Sequence, residues 1–264
     1  MEIVRLRLWD FIKYAKLMKF PIKRLATNYF FKVNYNNKPL MIWEIDYAFN
    51  REAYIKYLFR INNSKREFKI THEVKSDFEI DRFIYEDEEN EGFDLNMYGF
   101  IKKASNLIMT LKLDEFNKED NPKVEIRKFI KGQDEKLRCH IQNEVFYEEN
   151  RIPLKTKDIV YECSRKAFLE DLSFFIIYNK VEIGYGQVLL LNGKYTVANF
   201  GILEEFRGKG FGEALITYML NQAKKLGLKE VYIKVKSDNT KAVNLYEKIG
   251  FKESSKVNIY EFLS

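Results

Sequence analysis

The chain has 264 residues, of which 46% are hydrophobic and 32% charged. That supplies a core for one large or two ordinary domains, and no run is long and apolar enough for a helical membrane span. The net charge of +6 comes from 45 basic and 39 acidic residues that are mostly interspersed, a mildly basic surface without a nucleic-acid footprint. Cys139 and Cys163 offer neither a disulfide framework nor metal-ligand spacing. Met1–Arg7 carries charges too early for a secretory apolar region. The expectation is a cytoplasmic protein with no metal, no nucleic acid and no membrane partner.

The first part of the chain, to about residue 120, reads as a smaller α/β domain. Tyr29–Asn34 and Leu40–Tyr47 are strand-like, and Arg51–Arg60 is helix-like. The acidic cluster Glu86–Glu91 reads as a solvated loop, with a cation-attracting lip for an amine as the sharper alternative. From about residue 121 the signals strengthen. Val124–Phe129 is a strand. Gln133–Tyr147 is a helix, with Leu137, Ile141 and Val145 in four-residue steps. Thr156 or Asp158 caps a second helix running to Phe168. Ser173–Tyr178, Val181–Leu190 and Lys194–Leu203 are strands, joined at Asn179-Lys180 and at the hairpin signal Asn192-Gly193.

The segment Arg207-Gly208-Lys209-Gly210-Phe211-Gly212 follows the last of these strands and opens a helix. That helix carries Phe211, Leu215, Met219, Ala223 and Leu226 on one stripe and ends at Gly227. Glycines let main-chain N–H groups approach a ligand, and a helix start adds unpaired N–H groups and a positive dipole end. The combination suits an anion such as a pyrophosphate; a glycine turn that only caps a helix is the plain alternative. A Walker loop is excluded because Lys209 is followed by Gly210 and Gly201 lies at the wrong spacing. A dinucleotide fingerprint fails because Glu213 or Leu215 falls at its last glycine.

Downstream come the strand Val231–Val235 and then Asn239-Thr240-Lys241-Ala242-Val243-Asn244-Leu245-Tyr246-Glu247-Lys248-Ile249-Gly250-Phe251. Arg-x-x-Gly-x-Gly, a strand, and Asn-x-x-Ala-x-x-x-Tyr-x-x-x-Gly-Phe, in this order and separation, resemble the GNAT superfamily of acyl-CoA-dependent N-acyltransferases. The resemblance covers roughly the last 140 residues. It implies an α/β (α+β) fold with a central mixed, mostly antiparallel twisted sheet flanked by helices, and domains 1–120 and 121–264. It implies acetyl-CoA as cosubstrate and a small-molecule or peptide amine as acceptor, in a monomer or homodimer.

The resemblance also assigns roles. Gly208, Lys209, Gly210, Phe211 and Gly212, with Arg207, would hold the pyrophosphate, mainly through main-chain N–H groups; the Arg207 and Lys209 side chains either add charge or point to solvent. Phe200, Gly201 and Ile202 would offer main-chain groups to the pantetheine arm and thioester carbonyl, with Gly201 easing a bulge or only packing closely. Asn239 would cap its helix and touch the cofactor. Tyr246 would be the general acid, since a phenol stays protonated at neutral pH. The base is not legible. Glu204 is the candidate, followed by Glu205, with Glu182 and His140 more remote and a water chain also open. The two cysteines lack nucleophile context, so direct attack is expected. A non-catalytic acyl-CoA-binding module and an enzyme using another acyl-CoA are the rival readings.

Two N-terminal fragments echo the C-terminal part. Glu67–Asp77 parallels Glu230–Asp238, and Gly99-Phe100 with Leu107–Leu111 parallels Gly250-Phe251 with Val257–Phe262. A tandem is implied whose first copy is degenerate, with Phe78 at the Asn239 position and Leu95 at the Tyr246 position.

Overall fold

The computed structural model describes residues 1–6, 12–14, 29–49, 52–61, 75–76, 80–88, 94–148 and 152–263. In chain order the elements are β1 Glu2–Arg5, β2 Tyr29–Tyr35, β3 Lys38–Phe49, β4 Glu52–Arg60, β5 Lys75–Ser76, β6 Arg82–Glu88, a 3-10 helix Leu95–Tyr98 and β7 Ile101–Lys112. They continue with β8 Glu125–Lys128, α1 Glu135–Val145, α2 Thr156–Ser164, β9 Phe168–Tyr178, β10 Val181–Leu191, β11 Lys194–Ile202, a 3-10 turn Glu204–Phe206, α3 Phe211–Lys225, β12 Glu230–Lys236, α4 Thr240–Ile249 and β13 Lys252–Leu263. The expected β-α-α-β-β-β-α-β-α-β succession of the C-terminal part is therefore present. Two compact units result, Met1–Asn106 with Lys256–Ser264, and Leu107–Ser255. The units divide inside β7 and β13, whereas a cut after residue 120 falls in the connection from β7 to β8.

In the second unit the strand order is β7-β12-β11-β10-β9-β8. The pairs β8–β9, β9–β10 and β10–β11 are antiparallel, and β11–β12 is parallel. The hairpins turn on residues with positive φ at both central positions, Asn179-Lys180 and Asn192-Gly193, as the right-handed twist of the flanking strands demands. β9 and β10 are buried on both faces, so they read as near-continuous apolar runs. One face sends Phe174, Ile176, Ile183 and Val188 into a core with Leu215, Met219 and Leu220 of α3. The other sends Phe175 and Tyr185 against Cys139 and Ile141 of α1 and Ile159 and Cys163 of α2. α2 starts one residue earlier than a Thr156 cap requires. Lys155 is the cap, and the Asp158 carboxylate accepts from its N–H at 2.8 Å. The helix stops at Ser164, because Phe168 already opens β9.

The α1 and α2 face holds a buried polar network. Arg138 is fully buried and donates to Gln142 Oε1 at 2.7 Å and to Glu162. Its guanidinium lies 4.8 Å from the Tyr185 ring. Gln187 donates to the same Glu162 oxygen at 2.8 Å and accepts from Tyr185 Oη at 2.8 Å. A buried charge requires this saturation, because its desolvation otherwise exceeds the attraction of a single partner.

In the first unit the order is β5-β1-β2-β3-β4-β6-β13, with β4 parallel to β6 and β1 parallel to β5. Its core gathers Trp43, Phe83, Phe100 and Phe262, with Trp43 ring centroids 5.0 to 5.5 Å from the others. Two expectations are corrected here. Arg51–Arg60 is not a helix: residues 52–60 form β4, whose alternating burial of Ala53 and Ile55 suits a strand. Glu67–Asp77 is not the counterpart of β12, for Lys75 and Ser76 pair with β1, and residues 67–74 and 77 lie outside the described residues. The strand in the β12 position is β6, which pairs in parallel with β4 and precedes a short helix and Gly99-Phe100. Gly99 and Gly250 both end their helices in the left-handed region, at φ 85 and 117. Of the acidic cluster, Glu86–Glu88 belongs to β6, and residues 89–91 lie outside the described residues, as does Phe78.

Arg138→Leu leaves Glu162 and Gln142 without their buried partner. It is expected to lower the unfolding free energy by about 3 kcal/mol, the low end for a broken buried pair because Glu162 reaches solvent. Urea denaturation followed by circular dichroism measures this, and a loss below about 1 kcal/mol would show the network to be dispensable.

Candidate functional site

The site begins where two parallel strands part. β11 and β12 are in register only at Thr196↔Tyr232 and Val197↔Ile233. β11 runs on to Ile202 and β12 to Lys236, while β11 stays paired with β10 up to Ile202↔Gly184. A wedge therefore opens toward the carboxyl ends of the two strands. Tyr185↔Gly201 and Gln187↔Ala198 leave one extra residue in β11, a bulge marked by Asn199 at φ 52. Leu203 N–H bonds Ile183 O on the β10 side, so by strand alternation Phe200 and Ile202 turn their main-chain groups toward the wedge.

Gly201 does not carry this bulge. A Cβ there would lie 2.1 Å from Val145 Cγ1, so the glycine admits the end of α1 against the strand. The bulge at Asn199 escaped the sequence reading, although asparagine is the non-glycine residue that best tolerates this conformation.

Beyond Ile202 the 3-10 turn leads into the glycine loop. Gly208 and Gly210 have φ 75 and 84 and open space where a Cβ would stand, so conformation and not crowding demands glycine. α3 starts at Phe211 without a side-chain cap, and its first main-chain bond is Ala214 N–H to Gly210 O at 3.0 Å. The N–H groups from Gly208 to Glu213 make no hydrogen bond with the described residues. This is a ready anion cradle. Gly212 sits over the wedge, where its Cβ would be 3.5 Å from Leu245 and 3.9 Å from Phe200. Phe211 packs its ring 5.1 Å from that of Tyr178.

The two cationic side chains of the loop are engaged with it. Arg207 Nε donates to Ile202 O at 2.8 Å and one terminal nitrogen to Val145 O at 3.1 Å. Lys209 Nζ donates to Glu205 O at 2.9 Å and lies 5.5 Å from the Phe206 ring.

Tyr246 comes from α4, one turn before its end, with its ring 6.2 Å from Phe200 and 5.9 Å from Phe251. Phe200, Gly212 and Tyr246 thus meet at the wedge. Tyr246 is buried, and burial raises its hydroxyl pKa well above the usual phenol value, so it is protonated at neutral pH. Its hydroxyl has no hydrogen-bond partner among the described residues. Asn239 spends its side-chain oxygen on the cap, accepting from Ala242 N–H at 3.2 Å.

Among the base candidates, Glu204 and Glu205 are exposed on the 3-10 turn and His140 is exposed on α1. Glu182 is committed to Arg127, whose Nε lies 2.9 Å away and whose guanidinium also binds Asp134. Burial pushes the Cys139 and Cys163 thiols up, which disfavours them as nucleophiles. An acyl-CoA suits the residues present. The uncapped N–H cluster matches a pyrophosphate, the wedge edge of Phe200 and Ile202 an extended amide-bearing arm, and the buried phenol a leaving thiolate.

The acetyltransferase (GNAT) family matches residues 139–251. Residues 139–251 form a GNAT domain. The uncharacterized N-acetyltransferase YobR of Bacillus subtilis is 36% identical over 80 residues, 30% of this chain and 32% of its own. The mycothiol acetyltransferase of Kocuria rhizophila is 28% identical over 141 residues, 48% of this chain and 46% of its own. The chain thus spans between about a third and a half of the length of these curated relatives. A GCN5-related N-acetyltransferase from Sphaerobacter thermophilus superposes with a TM-score of 0.67 at 13% identity, covering 89% of this chain and 80% of its own. A tandem GNAT protein from the clavulanic acid biosynthesis pathway gives 0.58 at 10% identity, covering 90% and 83%. Both share the fold beyond the GNAT domain itself, into the first unit.

Two glycine substitutions should act with opposite sign on stability. Gly201→Ala forces Val145 off the strand and is expected to cost about 1–3 kcal/mol. Gly212→Ala adds a methyl at ordinary contact distance in a helix and should gain about 0.5 kcal/mol. Thermal unfolding of the ligand-free protein measures both, and a stable Gly201→Ala would refute the close-packing account.

Proposed function

We propose that the GNAT domain transfers an acetyl group from acetyl-CoA to a primary amine of a small molecule or peptide. The observation that carries this reading is the convergence of the uncapped glycine loop, the β11 edge at Phe200 and Ile202 left free of β12, and the buried ring of Tyr246 on one wedge.

In this reading acetyl-CoA supplies the activated acyl group. The N–H groups of Gly208–Gly212 hold its pyrophosphate, and Gly208 and Gly210 permit the approach. Main-chain groups of Phe200 and the N–H of Ile202 align the pantetheine arm and polarise the thioester carbonyl, while Gly201, facing β10, lets the end of α1 close on the strand. Asn239 fixes the start of α4 and, through it, Tyr246. The amine attacks directly, and Tyr246 donates its proton to the departing thiolate. Glu204, the carboxylate next after β11, takes the proton from the amine, with water as the alternative carrier.

Tyr246→Phe is expected to lower kcat roughly 100-fold or more, the range of a lost general acid, while acetyl-CoA affinity changes little. Gly210→Glu should abolish acetyl-CoA binding, because it places a carboxylate on the anion cradle and a side chain at φ 84. Calorimetric titration with acetyl-CoA, together with mass spectrometry of a mixed-amine panel, reads both. Normal acetylation by both variants would overturn the site. Release of CoA without an acetylated amine would favour a non-catalytic acyl-CoA-binding module.

A further inference from the structure

Residues 145–148, the last residue of α1 and the three that follow it, cross one side of the wedge. At the β11 end, Val145 packs on Gly201. At the β12 end, Glu148 Oε1 takes Lys236 Nζ at 3.0 Å, and Lys236 is the last residue of β12. Between them Tyr147 is 79% exposed. This short strap lies over the main-chain edge that the proposed thioester would follow, on the face opposite α3. An amine arriving from that face meets the strap first.

The strap is tied to the glycine loop by one side chain. Val145 O is one of the terminal carbonyls that α1 leaves unpaired, and Arg207 takes it. The same guanidinium holds Ile202 O at the end of β11. Arg207 is also the residue before Gly208, so any adjustment of the loop main chain moves its anchor. The planar fork suits two acceptors held at a fixed angle, which a lysine cannot reproduce.

We propose that Arg207 is a positioning residue that couples occupancy of the glycine loop to the strap 145–148, and not a ligand of the phosphates. Acetyl-CoA on the loop then firms the strap through Arg207, and the amine's side of the wedge is completed after the cofactor binds. By linkage, an acceptor that packs on the strap tightens acetyl-CoA. The inference rests on the loop being the acyl-CoA site.

Hydrogen–deuterium exchange of the full chain, with and without saturating acetyl-CoA, tests it without any acceptor. In the wild type, acetyl-CoA should slow exchange at 208–213 and also, by at least about fivefold, at 145–148. In Arg207→Gln the protection at 208–213 should persist and that at 145–148 should vanish. Arg207→Lys, which keeps the charge but not the fork, should behave like Arg207→Gln. Strap protection that survives Arg207→Gln overturns the proposal. So does loop protection that is lost in Arg207→Gln and restored in Arg207→Lys, the signature of a phosphate ligand. Wild-type protection at 208–213 without any at 145–148 sinks this inference alone, whereas no protection at 208–213 sinks the acyl-CoA reading itself.

Discussion

Everything at the site follows from a parallel pairing that ends after two residue pairs. Had β11 and β12 stayed in register to their ends, the main-chain groups of Phe200 and Ile202 would be spent on the sheet, and no ligand could use them. The separation is stabilised from both sides. Antiparallel pairing with β10 holds β11 through its bulge, and α3 and α4 cover the face below with Leu215, Tyr246 and Ile249. The glycine loop then starts α3 beside the same opening. Helix start, strand edge and phenol are thereby brought together by the sheet, without a dedicated binding loop of any length.

Much of this was legible in the residues, and the parts that were not have physical reasons. Two-residue hairpins, the glycine loop, the Asn239 cap and the Gly227 stop are local chemistry, written within a few positions, and they appear where the chain suggests them. The bulge at Asn199 depends on register with β10, which no periodicity carries. The role of Gly201 depends on Val145, 56 positions away, and the attachment of Arg207 depends on the end of α1, 62 positions away. The helix-like spacing of 51–60 misled because alternation of Ala53 and Ile55 is weak evidence against four-residue steps in so short a run. The proposed base, Glu204, is an exposed carboxylate of the 3-10 turn, and an exposed carboxylate carries no local sequence signal that separates it from a solvated turn residue.

The first unit repeats the plan with the chemistry removed. It keeps a parallel pair, here four residue pairs from Glu52↔Arg82 to Ile55↔Tyr85, and a helix closed by a left-handed glycine. That helix is a single 3-10 stretch, and Leu95 stands buried where the second unit has Tyr246. Residues 61–80, between the paired strands, contain no glycine. Trp43 and its phenylalanine neighbours fill the core of this unit. Such a unit retains the fold through aromatic packing, and the copy with the glycine loop carries the proposed activity.

The division of the chain inside β7 and β13 has a bearing on how the protein comes into being. The first unit is discontinuous: its sheet includes β13 residues paired to β6 from Leu263↔Arg82 to Val257↔Glu88. Those residues leave the ribosome only after the whole of 107–255. An emerging N-terminal segment therefore waits with β6 as an unsatisfied edge, while the intervening unit is made and can collapse on its own local contacts. The later unit, though second in the chain, is the one that can be completed first, and it is the one that holds the site.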